Sequence, residues 1–443
     1  MDGTDPHRDK PSKLSAEQWR RLRDLFGDAQ ELSASEREAF LDRELAGESA
    51  LRAEMDSFLA SAETMGAFLA PRDTATANVG AAPLAGSTVG SYRLLDLLGE
   101  GGFGVVYLAE QEKPIRRRVA IKLIKPGMDT KQVIARFEAE RQTLALLDHP
   151  GIAHVFDAGE TDAGRPYFVM EHVPGIPITD YCDRHRLSMR ERLELLVPVC
   201  QAIHHAHQKG IIHRDVKPSN VLVAIQDGRP VPKVIDFGVA KAVDQRLMER
   251  SVFTEQGRLI GTPAYMSPEQ AEMTGLNIDT TSDVYSLGVL MYELLVGALP
   301  FESKALLEAG LASMHRMIRD VDPPRPSTRL STLGELAATI AQNRRTQPAS
   351  LEKALRGELD WITMRAMEKD RTRRYPSAAE MGADIQRFLR DEAVLAKPPT
   401  AVYQMQKFAK RNKVLVGGAA AVLAVLVAGV AVSTWQAVRA TRA

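Results

Sequence analysis

The chain has 443 residues, 44% apolar and 26% charged, which is the make-up of ordinary globular protein and excludes disorder throughout. Lysine plus arginine equal aspartate plus glutamate at 57 each, so no net charge draws the chain to nucleic acid and no such partner is expected. Cys182 and Cys200 are too few for a disulfide framework and fit a reducing compartment.

Residues 1–13 are polar and lack the apolar stretch of a secretory signal. Capping-box patterns at Ser15 and Ser33 and helical recurrence of Leu22, Leu25, Phe26, Phe40, Leu41, Leu45, Met55 and Phe58 predict a module of three short helices within 1–70. Residues 71–90, rich in Ala, Thr, Gly and Pro, read as a flexible linker. From Tyr92 the pattern turns to strands at 92–98, 105–110 and 118–124, then a helix at 131–147, then strands at 152–160 and 165–171. Residues 189–209 and most of the chain beyond Asp279 read as helix. The expectation is an α+β domain over 91–390, a small sheet-rich lobe followed by a large helical one. The polar stretch from Pro323 to Ser350 is expected to interrupt the helical lobe as a surface insertion.

Beyond a basic segment at 391–413, residues 414–432 are an uncharged run of Val, Leu, Ala and Gly. As a helix it would be about 28 Å long, the thickness of a bilayer's hydrocarbon, and it is predicted to span a membrane. Lys407, Lys410, Arg411 and Lys413 before it outnumber Arg439 and Arg442 after it, which places its N-terminal side in the cytoplasm and the tail 433–443 outside. Ala420, Ala424 and Ala428 form a small-residue face suited to homodimerisation. The short tail leaves two readings: a simple anchor, or a piece of a longer receptor.

The chemistry concentrates in His213-Arg214-Asp215-Val216-Lys217-Pro218-Ser219-Asn220 and Asp236-Phe237-Gly238. Phosphoryl transfer needs a carboxylate at the incoming hydroxyl, oxygen ligands for magnesium and positive charge on the phosphates, and Asp215, Asn220, Asp236 and Lys217 are those residue types. Gly99, Gly101 and Gly104 make a glycine-rich turn that continues as strand through Val105, Val106 and Tyr107 instead of opening a helix. That favours a lid over ATP phosphates above a dinucleotide site. On the next strand Ala120 leaves room for adenine and Lys122 is the candidate phosphate clamp, to be held by Glu140 on the 131–147 helix. Met170 is placed at the rear of the adenine pocket, with backbone groups of Glu171 to Val173 against the base. His204, His205 and His207 lack partners at ligand spacing and read as structural.

Taken together, this ordered set closely resembles the eukaryotic-like serine/threonine protein kinases, including their membrane-anchored bacterial members, over roughly residues 92–389. The resemblance implies a bilobal protein kinase fold, ATP and Mg2+ as cofactors, and transfer to Ser or Thr hydroxyls of proteins. It gives Asp215 the substrate hydroxyl, Lys217 the transferred phosphate, and Asn220 with Asp236 the metal. Lys217 and Gly261-Thr262-Pro263-Ala264-Tyr265 look like the serine/threonine branch. Arg214 resembles the arginine of kinases switched by loop phosphorylation, with Ser251 or Thr254 as acceptor and Lys241 as a second partner. The resemblance also implies an ion pair between Glu269 and Arg374 and a buried Asp283 holding the catalytic-loop backbone. Ser267 stands where relatives carry Ala, and Arg371 where many carry Pro. A pseudokinase scaffold and a small-molecule kinase are the rival readings.

Overall fold

The computed structural model describes residues 40–41, 43–45, 86–101, 104–124, 147–162, 164–237, 263–272, 278–302, 311–396, 422, 424–430 and 432–435. The chain divides into two compact units, 1–81 and 82–443. In the first, the described residues make one helical turn, in which Leu41 and Leu45 are buried. The rest of the three-helix expectation lies outside the described residues, as do residues 131–146 of the expected 131–147 helix, Glu140 among them.

In the second unit β1 (Thr88–Val89), β2 (Tyr92–Glu100), β3 (Gly104–Gln111), β4 (Arg117–Ile124), β5 (Val155–Glu160) and β6 (Pro166–Glu171) form an antiparallel sheet in the order β1-β2-β3-β4-β6-β5. Alternation sends Val119, Ile121 and Leu123 of β4 into a core with Leu94, Tyr107 and Val169, which turns Ala120 and Lys122 to the opposite face. The sheet begins earlier than the sequence suggested. Gly86 donates to the Leu94 carbonyl at 2.8 Å and Leu94 to Ser87 at 2.9 Å, and Val89 is buried, so the end of the supposed linker is a sheet edge. Two β-branched residues, Thr88 and Val89, suffice to add this strand once the backbone of β2 offers its donors and acceptors.

A second, three-stranded sheet contains β7 (Ile176–Pro177), β8 (Val221–Gln226) and β9 (Arg229–Val234). Asp227 and Gly228, both at positive φ, close β8 onto β9 as a two-residue hairpin, a turn that matches the strands' twist. The register pairs Val221 with Val234. Asn220, just before β8, therefore comes opposite Ile235, just after β9, and the Ile235 amide donates to the Asn220 carbonyl at 2.9 Å. The hairpin thus joins two sequence motifs into one site.

The helical lobe comprises α1 (Ile178–Arg184), α2 (Met189–Gln208), α3 (Pro268–Ala271), α4 (Thr280–Val296), α5 (Leu311–Asp320), α6 (Pro326–Thr332), α7 (Leu336–Gln342), α8 (Pro348–Leu355), α9 (Glu358–Ala366) and α10 (Ala378–Leu389). Ser188 and Glu191 form the capping box that starts α2. Helix α4 is apolar almost all round and is buried on nearly every side. Cys182 on α1 and Cys200 on α2 are buried free thiols, pushed by burial up to about 11 and about 12, which makes them packing residues and not nucleophiles.

The stretch from Pro323 to Ser350 is not a surface appendage. It folds into α6, α7 and the start of α8, and Ser327, Leu330 and Ala341 are buried. Its buried Arg344 donates from Nε to the Leu295 carbonyl at 2.6 Å and from Nη2 to Leu294 at 2.8 Å. These are among the carbonyls that α4 leaves unpaired at its C-terminus. Arg192 of α2 reaches Asn343 O at 3.0 Å and Asp183 at 2.6 Å from the same buried seam. Polar composition misled here because the arginines are buried as caps. Arg344→Ala is expected to destabilise the lobe by about 3 kcal/mol, since several buried carbonyls lose a charged donor. Thermal unfolding checks it, with Arg356→Ala, whose side chain is exposed in a pair with Glu352, as a near-neutral control.

The lobe also runs past α10, where Val394 is buried and the Leu395 amide donates to Asp384 at 2.6 Å. Within the apolar run, residues 422, 424–430 and 432 are helical, and Val425, Leu426 and Val430 are exposed. Among the described residues no helix is long and apolar enough to cross a membrane.

Candidate active site

The site is organised around Asp283, fully buried near the start of α4. Its carboxylate accepts from the His213 amide and the Arg214 amide, each at 2.8 Å, and contacts His207 Nε2 at 2.8 Å. Burial alone would raise this carboxyl, but the bond and charge of His207, with the charge and amide of His213, hold it below the usual aspartate range. The expected structural role of Asp283 is present, and His207 is its partner.

Pinned in this way, the catalytic loop adopts a strained backbone. Arg214 has φ +63° and Asp236 φ +60°, conformations that non-glycine residues hold only when their surroundings impose them. Asp283 imposes the first, together with Gln270 of α3, whose Nε2 donates to the Arg214 carbonyl at 2.9 Å. His213 receives the Asp215 amide at Nδ1 (3.3 Å) and contacts the Ile235 carbonyl through Nε2 (3.1 Å), which fixes the tautomer with its proton on Nε2. Its ring packs against Phe237 at 4.7 Å between centroids.

Asp215, Lys217 and Asn220 then converge. Asn220 Nδ2 donates to the Asp215 carbonyl at 2.8 Å and to its carboxylate at 3.1 Å, while Lys217 Nζ lies 2.9 Å from the same carboxylate oxygen. With the nitrogen of Asn220 engaged, its side-chain oxygen is the atom suited to a cation. Asp236, two residues beyond β9, supplies carboxylate oxygens. An amide oxygen and a carboxylate are hard donors that fit a divalent cation completed by phosphates and water. Among the described residues there is no group of three or more His, Cys, Asp or Glu that could hold a metal ion.

Lys122 reaches across from β4 to pair with Asp236. Glu140, the partner expected for Lys122, lies outside the described residues; among the described residues Asp236 is the carboxylate that meets the ammonium. Val106 pairs with Lys122 and Ala120 with Met170 in the sheet register, so Val106, Ala120, Lys122 and Met170 sit on adjacent strands. Gly99 pairs with Val106, and the Gly101 amide donates to the Gly104 carbonyl at 2.9 Å. A Cβ on Gly104 would lie 2.4 Å from the Leu123 carbonyl, so the turn needs glycine to lie so close to β4. Residues 102–103 and Gly238 fall outside the described set, as do Lys241, Ser251, Thr254, Gly261 and Thr262.

At the segment joining the lobes part of the backbone is engaged within the protein itself. The Glu171 amide is already spent on the His154 carbonyl at 2.8 Å, and the Val173 carbonyl accepts from Gly175 at 2.8 Å. The Glu171 carboxylate pairs with buried Lys233 at 2.6 Å. Lys233 and Gln270 were missed in the sequence. A lysine between proline and valine in an apolar strand, three residues before Asp236, was the available signal for the first.

A glycine-rich strand turn, a strand lysine meeting Asp236, and an Asp215–Lys217–Asn220 loop anchored on Asp283 define a bilobal nucleotide-dependent phosphotransferase architecture. Residues 92–359 match the family described as Protein kinase domain, and the chain belongs to that family. It is 35% identical to the serine/threonine-protein kinase Pkn1 of Myxococcus xanthus over 67% of this chain and 38% of that protein. It is also 35% identical to the serine/threonine-protein kinase PknB of Mycobacterium tuberculosis, over 67% of this chain and 42% of that protein. The match therefore spans about two fifths of these relatives' length. Among solved structures, the PknI kinase domain of Mycobacterium tuberculosis, as a C20A_R136A double mutant, superposes with a TM-score of 0.50 at 25% identity, covering 70% of this chain and all of that one.

Proposed function

We propose that this chain is an ATP-dependent protein serine/threonine kinase. The convergence of Asp215, Lys217 and Asn220 beside Asp236 carries the reading. ATP would lie between the glycine turn and Ala120, with its phosphates toward Lys122, and Mg2+ would be held by Asn220 and Asp236, where it supplies charge neutralisation on the phosphates. Asp215 orients the incoming hydroxyl and accepts its proton. Lys217, already on the Asp215 carboxylate, contributes positive charge to the transferring group. The proposed acceptors are Ser and Thr of proteins, including Ser251 or Thr254 of this chain.

Incubation with Mg2+ and γ-labelled ATP tests the proposal: label should appear on serine or threonine of the chain itself or of generic proteins, and chelation should abolish it. Label confined to metabolites, or absent altogether, would overturn it.

The exposed apolar helical residues between 422 and 432, with the basic residues before them, support a membrane anchor at 414–432 with the kinase domain in the cytoplasm. The small-residue face of Ala420, Ala424 and Ala428 supports self-association there. The full chain should sediment with membranes and resist alkaline extraction, whereas residues 1–413 should not; equal behaviour of the two would rule the anchor out.

A further inference from the structure

The side chain of Lys233 is buried, points at Glu171 with Nζ 2.6 Å from Oε1, and has no part in the chemistry described above. The pair closes a ring of interactions around the junction of the lobes. Glu171 Oε2 accepts from the His154 amide at 3.3 Å, and the Glu171 amide donates to the His154 carbonyl at 2.8 Å. One residue earlier, the Ala153 amide donates to the Val234 carbonyl at 3.0 Å, and Val234 returns a bond to the Gly151 carbonyl at 2.8 Å. Ile152 and Val234 form a parallel bridge between these segments. Lys233 precedes Val234 on β9, and Lys233 to Glu171 completes the circuit. Two residues beyond Val234 lies Asp236.

We infer that the Lys233–Glu171 pair is a nucleotide-positioning latch, fixing the backbone at 171–173 that would face adenine at a set distance from Asp236, which would face the metal-bound phosphates. This rests on the kinase reading of the site. Both ends of a bound nucleotide are then matched before it arrives, so its affinity gains from order that the protein already has. Without the latch, ATP must itself bring the two ends into register. At saturating nucleotide that register is restored, so the loss falls on binding and not on turnover.

The buried location makes this more than an ordinary surface pair, because removing one partner leaves the other charge unpaired. A purely structural pair predicts a lower melting temperature with unchanged nucleotide affinity.

Lys233→Met, Glu171→Gln, the double Lys233→Met/Glu171→Met and Lys233→Arg should be compared in the full chain. ADP affinity is measured by calorimetry, KM for ATP and kcat by transfer assay, and stability by thermal melting. The expected result is a roughly tenfold rise in ADP Kd and in KM for the single variants, with kcat of Lys233→Met within about twofold of wild type. The double variant should be no worse than either single one, and Lys233→Arg should restore most of the affinity. Unchanged Kd and KM in Lys233→Met, or a rise in kcat, would overturn the latch. Because ADP binding is read without phosphoryl transfer, a wild-type chain that binds ADP but transfers nothing would defeat the kinase reading and leave the latch to be judged on Kd alone.

Discussion

Asp215→Asn is expected to lower kcat by roughly 10²–10⁴-fold, the usual contribution of a general base, while leaving KM for ATP nearly unchanged. The replacement keeps the shape of the side chain and an oxygen for Lys217, which lies 2.9 Å from the carboxylate in the wild type. What it removes is the negative charge and proton affinity that orient and deprotonate the incoming hydroxyl. The adenine side of the site does not involve this residue, so nucleotide binding should survive. Calorimetric ADP binding alongside labelled-ATP transfer checks both halves. Transfer at the wild-type rate would show that Asp215 does not act as the base. Loss of ADP binding together with transfer would mean that the change had disturbed the loop held by Asn220 and Asp283.

Much of this geometry was legible because it depends on local chemistry. The alternation in Val119-Ala120-Ile121-Lys122 is a property of any half-buried strand, and it put Ala120 and Lys122 on one face before any contact was known. The Asp283 anchor and the Glu269–Arg374 pair were implied by resemblance, and both are present. What could not be read depends on tertiary partners. Arg344 looks like a solvated residue in a polar stretch, and only the end of α4, some fifty positions earlier, gives it carbonyls to cap. Thr88 and Val89 lie at the end of a stretch with linker composition and become a strand because β2 has an edge to fill. Lys233 follows the same logic. Its partner Glu171 is 62 positions away, so strand periodicity shows that the lysine is out of place without showing what neutralises it.

Glu269→Ala is expected to cost about 3–5 kcal/mol of stability, because it strands a buried guanidinium. Arg374 is 2% exposed and meets Glu269 through two bonds, Nη1 at 2.7 Å and Nη2 at 2.8 Å. Its other donors go to the carbonyls of Glu368, Thr281 and Lys369, and its guanidinium lies 5.1 Å from the centre of the Tyr285 ring. Those acceptors remain after the substitution, but none carries the compensating charge. Ser282 also loses the acceptor of its hydroxyl, at 2.6 Å in the wild type. The melting temperature should fall by roughly 10 °C. Replacing Arg374 by Met in the same chain should recover part of the loss, because it removes the unpaired charge; no recovery would show that packing and not charge dominates. Acid provides a second test. Burial raises the Glu269 carboxyl, yet the Arg374 bonds and charge hold it below its ordinary 4.5 in the folded chain. Its contribution is therefore complete above that ordinary value and disappears as pH falls through the lowered one, so Glu269→Gln should show a weaker loss of stability over that acid range than wild type. The same substitution should also reach the chemistry. Glu269 and Gln270 are neighbours on α3, a four-residue helix held to α4 and Arg374 by Glu269 and to the Arg214 carbonyl by Gln270. Loosening α3 releases one of the bonds that keep Arg214 at positive φ beside Asp215, and kcat should fall even at temperatures where the variant remains folded.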